Sequence, residues 1–307
     1  MNIYRTMYHP RKPEGIENRR AYVVGSGIAG LATAAFLVDD AGMPGENITI
    51  YEQHSDVGGC CDGTRNEMGY LCRGERELEP YMECLWYLYS KIPSLENEGR
   101  TVLDDIVDFN RDEPIHSEYR AIVNRGEIYS KIHDYKLSPK DMADMNRFLN
   151  LPEEELEDKS IEDFFSDSFF ESSMWLCFHS CLAFKRYHSA LECRRYFQRF
   201  SFIVRHEYLE GIIHTKYNEH DAMILPLLRW LEGKGVQVAY GCSVYDLTLD
   251  APCNTVEAIH LRRDGNEETV SVNAQDLVFV TNGSMVTNSA FGDKRMVSLS
   301  VRATKSS

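Results

Sequence analysis

The sequence predicts an α/β protein, with a parallel sheet of the dinucleotide-binding kind, an inserted mostly helical domain and additional β-strands. Three observations carry this. A short β-branched run ends in a glycine cluster; an alanine-rich apolar stretch and a second short strand follow; and an aromatic-rich middle gives way to strand-like alternation. At 307 residues the chain is long enough for a large core and two domains.

The elements follow in order. Residues 1–19, with Pro10 and Pro13, read as an arm. Arg20-Ala-Tyr-Val-Val24 reads as a strand, Leu31 to Val38 as a buried helix, Ala41 to Asn47 as a turn, and Ile48-Thr-Ile-Tyr-Glu52 as a second strand. That unit has the size of a right-handed crossover joining parallel strands. Pro80 to Tyr89 reads as a helix with proline in its first turn. Leu151-Pro-Glu-Glu-Glu155 reads as the start of another helix, and Ser160-Ile-Glu-Asp163 as a variant capping box. From Phe164 to Tyr208 aromatics are dense, which predicts a helical domain whose rings mostly pack a core. Val236 to Tyr240, Thr255 to Leu261 and Thr269 to Val272 alternate as strands around turns such as Asp264-Gly265, and Asp276 to Thr281 reads as a buried strand ending at Asn282-Gly283. The expected division is an arm (1–19), a sheet domain (20–110 and 211–293), a mainly helical domain (111–210) and a divergent tail (294–307).

Composition narrows the partners. Hydrophobic residues at 43% and charged residues at 26% are ordinary for a globular protein. A net charge of -15 argues against binding a nucleic-acid backbone. There is no apolar run of about 20 residues to cross a membrane. The polar stretch from Met1 to Arg20 does not resemble a secretory leader. Nine cysteines, an odd number, suit reduced thiols and a cytoplasmic location.

Gly25-x-Gly27-x-x-Gly30 lies between a predicted strand and a predicted helix, the setting in which this pattern has meaning. The first glycine makes the tight turn, the second admits a pyrophosphate, and the third lets helix and sheet pack closely. Ser26 and Ala29 complete the loop, whose backbone N–H groups and helix dipole favour an anion. Glu52 ends the second strand 22 residues after Gly30, where a carboxylate can accept from ribose hydroxyls. The pair Gly58-Gly59, followed by Asp62-Gly63, favours FAD over NAD, so a Rossmann-like FAD-binding sheet is expected. Asn282, Gly283 and Ser284 join the expected cofactor-binding residues. Cys177, His179, Cys181 and His188 have no spacing suited to zinc, and no metal site is expected.

These motifs, taken together, resemble those of the oleate hydratases, also called myosin-cross-reactive antigens. The resemblance rests on Gly25-Ser-Gly-Ile-Ala-Gly-Leu-Ala32, Met43-Pro-Gly-Glu-Asn47, Gly58-Gly59, Glu83-Cys-Leu-Trp86 and Ser90-Lys-Ile-Pro-Ser-Leu95. It continues through Tyr187-His-Ser-Ala190, Arg195-Tyr196, Tyr217-Asn218 and Val278-Phe-Val-Thr-Asn-Gly-Ser-Met285. It implies a fatty-acid hydratase that binds FAD without net redox change and adds water to the cis double bond of oleate or a related acid. Glu77 then matches the carboxylate that activates water, Tyr196 the proton donor, and Arg76 a residue ordering that loop against the flavin.

Two departures stand out. Where the family pattern is Arg-Gly-Gly-Arg-Glu, this chain has Glu75 at the second glycine, which sets another negative charge near Glu77. From Lys294 onward the sequence diverges and stops short of the family's length, which reads as C-terminal truncation. The alternative expectations are an FAD-dependent oxidoreductase acting on an apolar substrate, or a non-catalytic truncated member. Peripheral membrane contact and a homodimer are compatible with either.

Overall fold

Four residues with no charged side chain among them, Ala21–Val24 (β1), form a strand buried along its whole length. Such a run suits a parallel strand covered on both faces. The computed structural model describes residues 7–61, 63–67, 69–72, 77–115, 122–129, 137–200, 212–252 and 254–281. The chain divides into two compact units: Met1–Arg76 with Met82–Asp108 and Thr215–Ser307, and Glu77–Tyr81 with Phe109–His214.

In the first unit β1 leads through the glycine loop into helix Ile28–Asp39 (α1) and back to strand Ile48–Tyr51 (β2). The buried residues of α1 include Gly30, Ala34 and Ala35, small enough for close approach to the sheet. Gly45, in the turn before β2, has no room for a side chain: a Cβ there would lie 2.0 Å from the Lys234 carbonyl oxygen. Gly63–Asn66 (β3) and Gly69–Cys72 (β4) pair as an antiparallel hairpin. Helix Glu83–Tyr89 (α2) starts three residues later than Pro80: Leu78 pairs with Ile213, and the Tyr81 carbonyl accepts from Arg199. Helix Val102–Asp112 (α3) buries Val102, Leu103 and Ile106. Thr101 and Asp104 cap it reciprocally, each side chain accepting the other's backbone N–H at 3.2 and 2.9 Å.

The second unit carries a two-residue hairpin, Ile122–Val123 (β5) with Glu127–Ile128 (β6). Helices Pro139–Asn150 (α4), Asp167–Phe170 (α5), Ser173–Leu182 (α6) and Ala190–Arg199 (α7) follow. As the aromatic density predicts, rings form the core: Phe148, Phe165, Phe169, Phe170, Trp175, Phe178, Phe184 and Phe197 are all buried. Phe178 stacks on Phe197 at 3.7 Å and Phe165 on Phe169 at 4.0 Å. The capping box at Ser160 and Asp163 is present, on a single 3-10 turn. The helix expected from Leu151 is a correction: only Glu153–Glu155 makes one 3-10 turn. Glu153 is held there by Arg194 and Arg195, and Asp158 at φ 56 turns the chain out of helical geometry.

The chain returns to the first unit through a π turn, His220–Ile224, which runs into helix Leu225–Gly233 (α8). Strand Gln237–Ala239 (β7) then joins the parallel sheet. Cys242–Leu249 (β8), Val256–Arg263 (β9) and Asn266–Ser271 (β10) form a separate antiparallel meander. Its second turn, between β9 and β10, is the expected Asp264-Gly265, with φ values of 50 and 81. Leu277–Val280 (β11) closes the parallel sheet in the order β11-β1-β2-β7. Cys242, Ile259 and Leu261 of the meander pack with Tyr22 and Tyr51 of the sheet. Burial first, then neighbouring Tyr22, pushes the Tyr51 phenol up to about 12. The α/β architecture expected from the sequence is observed.

Candidate functional site

The glycine loop lies at the carboxyl end of β1, where ligands of open parallel sheets bind. Gly25 turns the chain at φ 97, and its N–H donates to the Tyr51 carbonyl at 2.9 Å. A Cβ on Gly30 would stand 2.0 Å from the Gly25 carbonyl oxygen, so no larger residue fits. Thr281, just beyond β11, donates from Oγ1 to the Val24 carbonyl at 2.8 Å and lies against Gly25. Sequence reasoning missed this threonine, since a residue ending a strand carries no local signal of what it buttresses.

Gly58 and Gly59 come to the same place. Gly58 donates its N–H to the Ser26 carbonyl at 3.0 Å and forms an isolated parallel bridge with Gly27. A Cβ on Gly59, at φ 57, would lie 3.0 Å from the Gly27 Cα. Two backbones therefore touch where side chains would hold them apart. Ala29 lies in the first turn of α1 behind them.

Glu52 is buried and fixed from two sides. Ser26 donates to Oε2 from its backbone N–H at 3.1 Å and from its hydroxyl at 2.5 Å. The His54 N–H donates to Oε1 at 2.8 Å. The Glu52 backbone continues the sheet, donating to Ala239 at 2.9 Å and accepting from Cys242 at 2.8 Å. Tyr240 lies in the same electrostatic neighbourhood. Its phenol is raised first by burial and then by Glu232, Asp56 and Glu52. The arrangement offers a carboxylate at a fixed angle, next to a loop with no side chains in the way.

Glu77 and Tyr196 both belong to the helical unit. Glu77 is exposed and opens the segment 77–81. Leu78 and Ile213 exchange both main-chain hydrogen bonds, at 3.1 and 2.8 Å. Tyr196 is half-buried on α7, edge-on to Phe184 at 5.2 Å and tilted against Phe200 at 5.5 Å. Among the described residues no hydrogen bond or ion pair joins Glu77 to Tyr196. Arg76, Asn282, Gly283 and Ser284 lie outside the described residues, as do Glu75, Asp62 and the tail.

The cysteines and histidines considered for zinc have other environments. Cys177 is buried in α6, and Cys181 is exposed. His179 stacks on Trp175 at 5.7 Å, its pKa lowered by burial and then by Lys185. His188 Nδ1 accepts from the Lys185 N–H at 3.2 Å. No described helix is long and apolar enough to cross a membrane.

Comparison with known proteins gives a consistent picture. The model of the MCRA family matches residues 18–306. The chain is 36% identical to an oleate hydratase of Streptococcus pyogenes serotype M49 over 309 aligned residues, covering 98% of this chain and 51% of that protein. It is 29% identical to a linoleate hydratase of Lactiplantibacillus plantarum, covering 89% and 53% respectively. The chain thus spans about half the length of the curated relatives it matches. A solved structure, the CLA-producing fatty acid isomerase from P. acnes, superposes with a TM-score of 0.51 at 17% identity, covering 86% of this chain and 59% of that one. At that identity the likeness concerns the fold alone.

Proposed function

The chain belongs to the MCRA family, and from that premise we propose that it is an FAD-binding fatty-acid hydratase acting on oleate or a related unsaturated acid. The observation that carries the reading is the glycine cradle facing a pre-aimed carboxylate. Gly25, Gly27 and Gly30 leave a side-chain-free surface, and Ser26 with His54 orients Glu52 beside it. This geometry fits FAD: loop N–H groups for the pyrophosphate, Glu52 for the adenosine ribose, and Gly58-Gly59 against the same loop. When bound, FAD supplies a surface for the reaction and no net electrons, since hydration leaves the redox balance unchanged.

Hydration needs a proton delivered to one alkene carbon while water attacks the other. An isolated alkene is a poor electrophile, so neither half-step proceeds well alone. In this reading Tyr196 delivers the proton to the alkene from its phenol O–H. The Glu77 carboxylate accepts a proton from the attacking water. Phe184 and Phe200 pack against the Tyr196 ring and set its orientation. A cytoplasmic location belongs to the same proposal and suits the odd number of cysteines, nine, in the sequence.

The test is incubation of the purified chain with FAD and oleate, followed by mass spectrometry of the extracted acids. A hydroxystearate carrying one added water supports hydration. Substrate-dependent bleaching of the flavin under anaerobic conditions, without that product, would replace the reading with an oxidoreductase.

A further inference from the structure

Glu79 is 2% exposed, among the most buried charged residues described. Its carboxylate forms an ion pair with the guanidinium of Arg199, the last residue of α7. The same Arg199 nitrogen, Nη2, donates to the Tyr81 carbonyl at 2.7 Å. One guanidinium therefore grips both a side chain and the main chain of the segment 77–81. The Leu78–Ile213 pairing fastens the segment's other side. Tyr196 lies three residues before Arg199 on the same helix, so the two are neighbours along its surface.

We infer that Glu79 and Arg199 are a positioning pair, fastening the segment that bears Glu77 to the end of the helix that bears Tyr196. The inference rests on the roles given to those two residues in the proposed hydration. Its physical basis is the contrast between the partners. A surface ion pair exchanges readily with water, but an ion pair to a carboxylate removed from solvent is screened much less and is correspondingly costly to break. Arginine suits the task because the two N–H bonds of Nη2 are fixed in the guanidinium plane, one for each acceptor, whereas a lysine ammonium rotates freely. Arg194 and Arg195 also brace α7, but onto Glu153, far from the segment 77–81 in sequence. They provide an internal control.

The test is hydrogen–deuterium exchange by mass spectrometry on the full 307-residue chain, comparing E79Q, R199M, R199K and the control R195M with wild type. Amides of Leu78, Glu79 and Tyr81 should exchange about tenfold or more faster in E79Q and R199M, with R199K between them and wild type. R195M should match wild type there, and α6 should stay protected in every variant. Where hydration is measured, kcat should fall about 10- to 100-fold while KM holds within about twofold. Unchanged exchange over 78–81 in both E79Q and R199M would overturn the inference. Loss of protection throughout α6 in both would also overturn it, because the pair would then support the whole unit. If wild type forms no hydroxy acid, the hydration reading fails and the exchange result still decides whether the pair tethers the segment.

Discussion

Ser26 bonds a single oxygen of Glu52 twice, from its backbone N–H at 3.1 Å and from its hydroxyl at 2.5 Å. The residue between the first two glycines therefore orients the acid at the end of the neighbouring strand. The glycine loop and the Glu52 carboxylate are joined directly by hydrogen bonds.

Removing the hydroxyl with Ser26→Ala should leave the two backbone bonds to the carboxylate and loosen its orientation at Oε2. FAD affinity should fall about tenfold, equivalent to about 1.4 kcal/mol. Quenching of flavin fluorescence on titration measures this, and an unchanged dissociation constant would refute the orienting role.

Gly30→Ala tests the cradle more severely. Its Cβ would sit 2.0 Å from the Gly25 oxygen, so the loop or the helix start must shift. A stability loss of about 1–3 kcal/mol is expected from overpacking, together with loss of bound FAD. Urea unfolding and the flavin absorbance of the purified protein report the two effects, and a yellow protein of normal stability would contradict the packing argument.

Glu77→Gln and Tyr196→Phe address the proposed chemistry. Each should lower hydration about 10²- to 10⁴-fold. Tyr196→Phe keeps the ring that meets Phe184 and Phe200, so its unfolding midpoint should stay close to wild type. Product formation at the wild-type rate in both variants would remove these residues from the mechanism.

Asp141 gives the helical unit a pH dependence. Its buried carboxylate accepts from the hydroxyls of Ser138, Ser166 and Ser168 at 2.6, 3.1 and 2.9 Å. Burial alone would raise its pKa, but the bonds from Ser138, Ser168 and Ser166 outweigh it and the value is lowered. A depressed carboxylate stabilises the fold above its unfolded pKa of about 3.9 and loses that contribution as pH falls through the folded value. Asp141→Ala should cost about 1–3 kcal/mol near neutral pH and proportionately less in acid. Near-UV circular dichroism of the aromatic core against temperature, at several pH values, would show the convergence. Parallel curves would exclude it.

The site divides into what local pattern reveals and what only folding creates. Gly25, Gly27, Gly30 and Glu52 were legible because strand, loop, helix and acid follow one another within a single crossover. The partnership of Ser26 with Glu52 was not, since a serine between glycines looks like a small spacer. Glu79 and Arg199 are too far apart in sequence for a local pattern to link them; the one is buried and joined to the other only by folding. No linear pattern marks the serines at 166 and 168 that converge on Asp141. Leu151 to Glu155 misled in the opposite direction. Its acids suit a helix start, but Arg194 and Arg195 recruit Glu153 from outside.

Gly45 sits 2.0 Å, in Cβ terms, from the Lys234 carbonyl, whereas Gly265 at the tip of the meander has nothing within 4 Å of that position. Both glycines occupy turns, yet they tolerate engineering very differently. The first turn is nested against another and leaves no slack for a longer loop or an attached group. The second faces open space between two strands already in register. A fluorophore, epitope or spliced peptide introduced to follow this protein therefore belongs between Asp264 and Gly265, where the sheet and its cradle would not sense the cargo.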